Sequence, residues 1–131
     1  MSKARILVVD DNAMNLKLIC STLRYAGYDL STAIDAEAAQ VVISASEPFD
    51  LILMDVSLPG MDGLELTRKL KSDNKTRDTP VVILTASAMK GDDQRAIDSG
   101  ADGYITKPID TRAFPGQVQK FLRPRADGSG P

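Results

Sequence analysis

Four short runs of apolar residues constrain the fold of this chain more than any other feature of its sequence. None of them alternates apolar with polar residues, so both faces of each run should be buried, as in a parallel sheet between two layers of helices. The runs are Ile6 to Val9, Leu51 to Met54, Val81 to Leu84 and the weaker Gly103 to Thr106. A fifth, mixed run from Tyr28 to Ala33 is typical of an edge strand.

Segments of helical length separate these runs. Asn12 and Asp35 are suitable N-cap residues for the first two helices, and Gly27 suits the left-handed position after the first. The apolar residues of the helices recur at three- and four-residue spacings, which predicts that they face the sheet. They are Met14, Leu18, Ile19 and Leu23 in the first helix, Ala38, Ala39, Val42 and Ile43 in the second, and Leu66 and Leu70 in a third that follows Asp62.

Two further helices are predicted towards the C-terminus. A fourth should run from about Gly91 to Ser99 with Ala96 and Ile97 turned inward, and a fifth from near Asp110 to Leu122. Because proline is tolerated only in the first turn of a helix, Pro115 means that the fifth helix starts after Asp110 or loses one hydrogen bond. The alternation of strands and helices predicts an α/β fold with an open, doubly wound parallel sheet.

Length and composition predict one globular domain. The chain has 131 residues, of which 43% are hydrophobic and 26% charged, which is ordinary usage for a domain that buries a core. We expect the domain to comprise residues 1–122 and the Gly/Pro/Ser-rich residues 123–131 to form a disordered tail. The sequence shows no signal peptide and no apolar segment of the length that spans a bilayer, so we expect a cytoplasmic protein without a membrane partner.

Composition also argues against several classes of function. The chain has no histidine and a single cysteine, Cys20, which argues against zinc enzymes, serine–histidine triads and an intramolecular disulfide. Sixteen Lys and Arg residues against eighteen Asp and Glu residues give a net charge of −2, without the basic excess that binding to a phosphate backbone requires. Direct DNA binding is therefore not expected.

Chemically useful side chains stand at the end of every strong run. They are Asp10 and Asp11, then Asp55, then Thr85, then Lys107. In parallel sheets of this kind the ligand site lies outside the carboxyl ends of the strands, so these residues should converge on one rim. A lone Asp after a strand is most often a helix cap or turn residue. That explanation accounts poorly for all five residues together.

The charges at this rim favour a divalent cation. Two carboxylates 4 Å apart repel each other by about 4 kcal/mol at an effective dielectric constant of 20. Lys107 supplies one positive charge to three carboxylates, and the remaining charge suits Mg²⁺, while the lack of histidine and thiolate ligands disfavours zinc or copper. A phosphoryl group at Asp55 would add about one negative charge, which the Thr85 hydroxyl and backbone N–H groups can accommodate. The rim is therefore suited to receive phosphate.

Four motifs match receiver domains of two-component response regulators. They are Val-Val-Asp-Asp-Asn at 8–12, Leu-Met-Asp-Val-Ser-Leu-Pro-Gly-Met-Asp-Gly at 53–63, Leu-Thr-Ala at 84–86 and Tyr-Ile-Thr-Lys-Pro at 104–108. The chain thus resembles this family from Lys3 to about Leu122, and is most similar to single-domain regulators of the cell-division DivK type and to receivers of hybrid histidine kinases. The resemblance implies a flavodoxin-like, five-stranded sheet of order 2-1-3-4-5 with five helices.

The resemblance also implies a role for each residue at the rim. Asp55 would be the phosphoacceptor, which attacks a phosphohistidine on a histidine kinase or a histidine phosphotransfer protein. Asp11, Asp55 and the backbone carbonyl of Ser57 would ligate Mg²⁺, and Asp10 would hold a metal-bound water. Lys107 would pair with an oxygen of the phosphoryl group.

A conformational switch is implied as well. The Thr85 hydroxyl would turn towards the phosphoryl group, and Tyr104 would rotate into the space that it leaves. The movement would change the surface formed by the fourth helix, fifth strand and fifth helix, and so control binding to a downstream protein target. On this interpretation the chain catalyses only its own phosphorylation and dephosphorylation, and is a monomer or a weak phosphorylation-dependent dimer.

Other functions stay open from the residues. An aspartyl-phosphate phosphatase also combines Asp, Thr, Lys and Mg²⁺, but it needs a second acid two residues after the first strand's nucleophile, where this chain has Asn12 or Ala13, and a cap domain. A receiver that no longer takes phosphate, and serves as a scaffold, is disfavoured by the intact set of five residues. The chain is also compatible with a natural single-domain regulator, a phosphate relay between kinases, and a receiver excised from a hybrid kinase.

Overall fold

Five strands and four helices are present in the computed structural model, which describes residues 4–45, 48–56, 63–85, 97–107 and 109–122. The elements in chain order are β1 (Arg5–Val9), α1 (Ala13–Tyr25), β2 (Asp29–Ala33), α2 (Ala36–Ala45), β3 (Leu51–Asp55), α3 (Gly63–Ser72), β4 (Val81–Thr85), β5 (Gly103–Thr106) and α4 (Phe114–Phe121). All strand pairs are parallel, in the order β2-β1-β3-β4-β5. The predicted class, topology and edge strand are confirmed.

Two hydrophobic layers cover the sheet, one on each face, because successive side chains of a strand point to opposite sides. Full burial of one large aliphatic side chain contributes roughly 1.5–3 kcal/mol, so these layers are the main source of stability. One layer joins Leu7, Val9, Ile52, Met54 and Ile83 to residues of α2 and α3, including Ala39, Leu64, Leu66 and Leu70. The other joins Ile6, Val8, Leu53, Leu84 and Ile105 to Ile19 and Leu23 of α1 and Phe114 and Val118 of α4.

The predicted ends of the first two helices are confirmed. The Asn12 side chain caps α1 by accepting hydrogen bonds from the backbone N–H groups of Met14 at 2.9 Å and Asn15 at 3.0 Å. Asp35 caps α2 by accepting from the N–H group of Ala38 at 2.8 Å. Gly27 has a φ of +98°, the left-handed conformation that glycine adopts without strain. The caps formed by Asn12 and Asp35 begin α1 and α2 shortly after the carboxyl ends of β1 and β2.

Three apolar residues that we expected to face the sheet point to solvent instead. Met14, Leu18 and Ile97 are 80%, 40% and 57% exposed. At about 3.6 residues per turn, Met14 and Leu18 form one row of α1, whereas Ile19 and Leu23 form another row on the opposite side. Our prediction treated the two rows as one apolar face, because three- and four-residue spacings connect all four residues. Only the row of Ile19 and Leu23 is buried.

The fifth predicted helix starts later than Asp110. It is α4, which begins at Phe114 with Pro115 in its first turn. The residues before it form a turn in which the Asp110 carboxylate accepts a hydrogen bond from the N–H group of Arg112 at 3.0 Å. The later start is thus the alternative that the structure adopts, because it places the proline where a helix tolerates it.

Several predictions fall on residues that are not described. The predicted fourth helix, from about Gly91 to Ser99, falls mostly on residues 91–96, and the predicted tail falls on 123–131, so both lie largely or wholly outside the described residues. The same applies to Asp62, Ser57 and Ala96. Within the described ranges, no helix combines the length and the apolar character needed to cross a bilayer.

The thiol of Cys20 should react slowly in the folded chain. Cys20 is only 5% exposed, and its burial raises the pKa of the thiol, which the Arg24 guanidinium opposes in part. Because the thiolate is the reactive form, we expect a chromogenic disulfide reagent at about pH 8 to label the folded chain at least tenfold more slowly than the chain in urea. Glutathione measured in both solutions controls for the effect of urea on the reagent. Equal rates for the folded and unfolded chain would contradict the burial of Cys20.

Candidate functional site

The carboxyl ends of four neighbouring strands place the predicted site residues along one rim of the sheet. Asp10 and Asp11 follow β1, Asp55 and Thr85 are the last residues of β3 and β4, and Lys107 follows β5. All four strands run in the same direction, so their ends meet although Asp10 and Lys107 are 97 residues apart in sequence. The rim thus collects the carboxylates, hydroxyl and ammonium that the sequence analysis singled out.

The Lys107 ammonium lies between two buried carboxylates. Its Nζ atom is 3.3 Å from Oδ2 of Asp10 and 3.3 Å from Oδ1 of Asp55. The side chains of the two acids are 0% and 6% exposed, and that of Lys107 is 17% exposed. Solvent screens such buried charges weakly, so Lys107 compensates a large part of the repulsion between the acids.

Asp10 is held from three sides. Its Oδ1 atom accepts a hydrogen bond from the backbone N–H group of Asn12 at 2.9 Å, while Oδ2 contacts Lys107. Its own N–H group donates to the carbonyl oxygen of Ala33, at the end of β2, at 3.1 Å. Both the backbone and the carboxylate of Asp10 are therefore fixed before any ligand binds.

Asp11 completes a cluster of three acids and is exposed. One carboxylate oxygen from each of Asp10, Asp11 and Asp55 lies within 4.8 Å of the other two. Two oxygens on opposite sides of a bound Mg²⁺ ion are separated by about 4.2 Å, twice the usual Mg–O distance. The three acids therefore fit a hard divalent cation with a small contraction, and the exposed Asp11 marks the side from which an ion can enter.

Thr85 and Tyr104 lie on adjacent strands beside this cluster. Thr85 is 6% exposed, and its carbonyl oxygen accepts a hydrogen bond from the N–H group of Lys107 at 2.7 Å. Tyr104 is half-buried, pairs in register with Ile83, and packs on the hydrophobic layer beneath α2 and α3. Thr85 itself pairs with Thr106, so the two residues predicted to form a switch lie two positions apart along adjacent strands, and Thr85 is hydrogen-bonded directly to Lys107. The Ser57 carbonyl is outside the described residues.

The backbone N–H group of Asn12 is a part of the site that our sequence analysis missed. We assigned Asn12 only as the cap of α1, yet its amide also binds Asp10. An Asp side chain that accepts from the backbone two residues later forms an Asx turn, and an Asp directly after a strand is a signal for such a turn. One residue thus links the start of α1 to the position of the Asp10 carboxylate.

Comparisons with known proteins agree on one family. The model of the response regulator receiver domain matches residues 6–119. Response regulator PleD of Caulobacter vibrioides is 43% identical over 120 residues, which cover 92% of this chain and 26% of PleD. The polar-differentiation response regulator DivK of Brucella anthropi is 38% identical over 117 residues, which cover 89% of this chain and 94% of DivK. The chain therefore spans about a quarter of PleD but nearly all of DivK.

A solved structure with a similar fold contains a metal ion. It is the receiver domain of the sensor histidine kinase PA1611 from Pseudomonas aeruginosa PAO1, with a magnesium ion coordinated in its active-site cleft. This structure has a TM-score of 0.80 and 33% sequence identity, and the match covers 92% of this chain and 98% of that one.

Removal of the Lys107 charge should destabilise the fold. The variant Lys107→Met keeps most of the side chain's length but leaves Asp10 and Asp55 buried beside each other without their cation. We expect the free energy of unfolding to fall by roughly 3 kcal/mol, measured by urea denaturation with EDTA present. Lys17→Met, on the exposed face of α1, is the matched control and should change it by less than about 0.5 kcal/mol. Equal stability of the two variants would contradict the ion pairs described for Lys107.

The negative charge of Asp55 should lower the free energy of unfolding when no divalent cation is present. Without divalent cations, Asp55→Asn relieves repulsion among the three acids while Lys107 keeps Asp10 as its partner, so the variant should be more stable by about 1 kcal/mol. Added Mg²⁺ should raise the melting temperature of the wild type more than that of the variant. Asp35→Asn, which preserves the cap of α2, should respond to Mg²⁺ like the wild type. An identical Mg²⁺ response of Asp55→Asn would show that Asp55 takes no part in a cation site.

Proposed function

The chain belongs to the response regulator receiver domain family, and from this premise we propose that Asp55 accepts a phosphoryl group in a Mg²⁺-dependent reaction. Receiver domains are the signalling domains of two-component systems, which act through phosphorylation. The observation that carries the proposal is the position of Asp55, a buried carboxylate within reach of the Lys107 ammonium and of two further acids. This arrangement offers a nucleophile and the charges that a phosphoryl group requires.

Asp55 would act as the nucleophile of the transfer. A carboxylate oxygen of Asp55 forms the new P–O bond, while the P–N bond to the donor imidazole breaks and its electron pair stays on the imidazole nitrogen. Lys107 already contacts Asp55 at 3.3 Å, so its ammonium can neutralise charge on the phosphoryl oxygens without a large movement. A Mg²⁺ ion held by Asp11, Asp55 and the Ser57 carbonyl, with Asp10 binding one of its waters, would screen the phosphoryl oxygens from the carboxylates.

The phosphohistidine must come from outside the 131 residues of this sequence. This chain contains no histidine, so it cannot supply a phosphohistidine donor itself. A histidine kinase or a histidine phosphotransfer protein supplies the group, and the exposed Asp11 marks the open side from which its histidine approaches.

Phosphorylation would be transmitted through Thr85 and Tyr104. The Thr85 hydroxyl would turn towards the phosphoryl group, and the half-buried Tyr104 on the neighbouring strand would move inward. The 2.7 Å hydrogen bond between the Thr85 carbonyl and the Lys107 N–H group supports this coupling, because it joins the end of β4 to the segment after β5. The surface made by the segment before β5, β5 itself and α4 would then change its affinity for a downstream protein.

The residues that follow β1 favour a signalling function over the turnover of a substrate. In the phosphatase alternative a second acid would stand two residues after Asp10, where Asn12 instead caps α1 with its side chain and binds Asp10 with its backbone. We therefore propose that the chain catalyses only its own phosphorylation and dephosphorylation. We also propose residues 1–122 as the receiver unit, of which the family model matches 6–119.

Incubation with acetyl phosphate and Mg²⁺ should add one phosphoryl group to the wild-type chain. Intact-protein mass spectrometry should detect the group, and hydroxylamine should remove it because an acyl phosphate is reactive towards amines. Asp55→Asn should gain none, while Asp35→Asn, which removes a carboxylate outside the rim, should be phosphorylated like the wild type. A wild type that gains no phosphoryl group, or an Asp55→Asn variant that gains one equally, would contradict the proposal. Sustained hydrolysis of p-nitrophenyl phosphate over many turnovers would favour the phosphatase alternative.

A further inference from the structure

The first residue of α3, Gly63, packs directly against the backbone of Asp55. A Cβ atom built at Gly63 would overlap the carbonyl oxygen of Asp55 and would lie 2.9 Å from Cγ of Met54, closer than the 3.0 Å that real Cβ atoms respect. The N–H group of Gly63 donates to the carbonyl oxygen of Val56 at 3.2 Å. The residue does not have a positive φ, so the close approach, rather than an unusual backbone conformation, requires glycine here.

A buried hydroxyl fixes Gly63 from the other side. Thr67 lies one turn further along α3 and is 0% exposed. Its hydroxyl donates a hydrogen bond of 2.7 Å to the carbonyl oxygen of Gly63. Because a threonine hydroxyl that bonds to the carbonyl four residues earlier bends a helix, removal of this hydroxyl should change the bend of the first turn of α3 and so the position of Gly63 against Asp55.

The neighbouring strand holds Asp55 on its opposite edge. Asp55 pairs in register with Leu84 of β4, and the N–H group of the next residue, Val56, donates to the Leu84 carbonyl oxygen at 3.1 Å. The peptide that carries Asp55 is therefore clamped between β4 and Gly63. Such a clamp leaves the Asp55 carboxylate few ways to move other than rotation of its own side chain.

We propose that Gly63 and Thr67 are positioning residues that hold the Asp55 backbone so that its carboxylate meets Lys107 and the other two acids. The inference rests on the proposed function of Asp55 as the phosphoacceptor. Neither residue touches the phosphoryl group, and both act through the Asp55–Val56 peptide. Because in-line transfer requires reacting atoms in close alignment, a displacement of about 1 Å can slow it by about a hundredfold.

The experiment measures the rate of phosphorylation by acetyl phosphate at saturating Mg²⁺, well below the melting temperature of every variant. Gly63→Ala should lower this rate by at least about tenfold. Gly116→Ala is the matched control, because a Cβ at Gly116 meets no atom within 4 Å, and its rate should equal that of the wild type. Thr67→Val, which removes the hydroxyl but keeps the side chain's shape, should also be slow, whereas Thr67→Ser, which restores the hydroxyl, should recover the wild-type rate.

The wild-type phosphorylation rate expected for Thr67→Ser distinguishes a positioning role of Thr67 from a contribution to packing alone. Thr67→Ser loses a buried methyl group and Thr67→Val does not, so packing alone predicts that the serine variant is the more impaired. Wild-type rates in Gly63→Ala, or equal rates in the two Thr67 variants, would overturn the inference while leaving Asp55 as the phosphoacceptor. If Gly63→Ala does not fold, the comparison of Thr67→Val with Thr67→Ser tests the inference by itself. A wild type that takes no phosphoryl group would instead contradict the proposed function, and with it the premise of this inference.

Discussion

The contact of one ammonium with two buried carboxylates is the interaction on which the site depends. Lys107 follows β5, whereas Asp55 ends β3 and Asp10 follows β1. The ends of β3 and β5 are separated by about 10 Å, twice the spacing of neighbouring strands, so only a long, flexible side chain can bridge them. The parallel order of the sheet brings the ends together, and the Lys107 side chain joins them. Without either feature, the Lys107 ammonium could not contact both buried carboxylates.

The same contact explains why the site is suited to bind further charged groups. Three acids with Lys107 among them carry an excess of two negative charges, and the exposed Asp11 places part of that excess where an ion can reach it. A divalent cation would remove the excess, and the phosphoryl group proposed for Asp55 would then meet cationic partners rather than bare carboxylates. The charge imbalance is thus the physical reason for linking metal binding to phosphorylation.

Much of this arrangement can be predicted from sequence because it depends on local signals. Unbroken apolar runs predict buried parallel strands, and the residue after each run must lie at the rim. Asn12, Asp35 and Gly27 are local signals for helix ends, and each behaves as expected. The prediction for Met14 and Leu18 was wrong, because three- and four-residue spacings connect their exposed row to the buried row of Ile19 and Leu23. The contact of Lys71 with Asp102, at 2.8 Å, spans 31 residues of sequence and depends on how α3 packs against the sheet near the start of β5. Likewise, the close approach of Gly63 to Asp55 depends on the path of the chain between them.

The central claim is that the Asp10, Asp11 and Asp55 cluster with Lys107 is a metal-dependent phosphoryl acceptor, and mapping the modified residue tests it most directly. The chain would be treated with acetyl phosphate in the presence of Mg²⁺ or of EDTA, reduced with borohydride to mark acyl phosphates, and analysed by peptide mass spectrometry. We expect modification at Asp55 alone, and only when Mg²⁺ is present. Modification of another residue, or the same yield at Asp55 with EDTA, would contradict it.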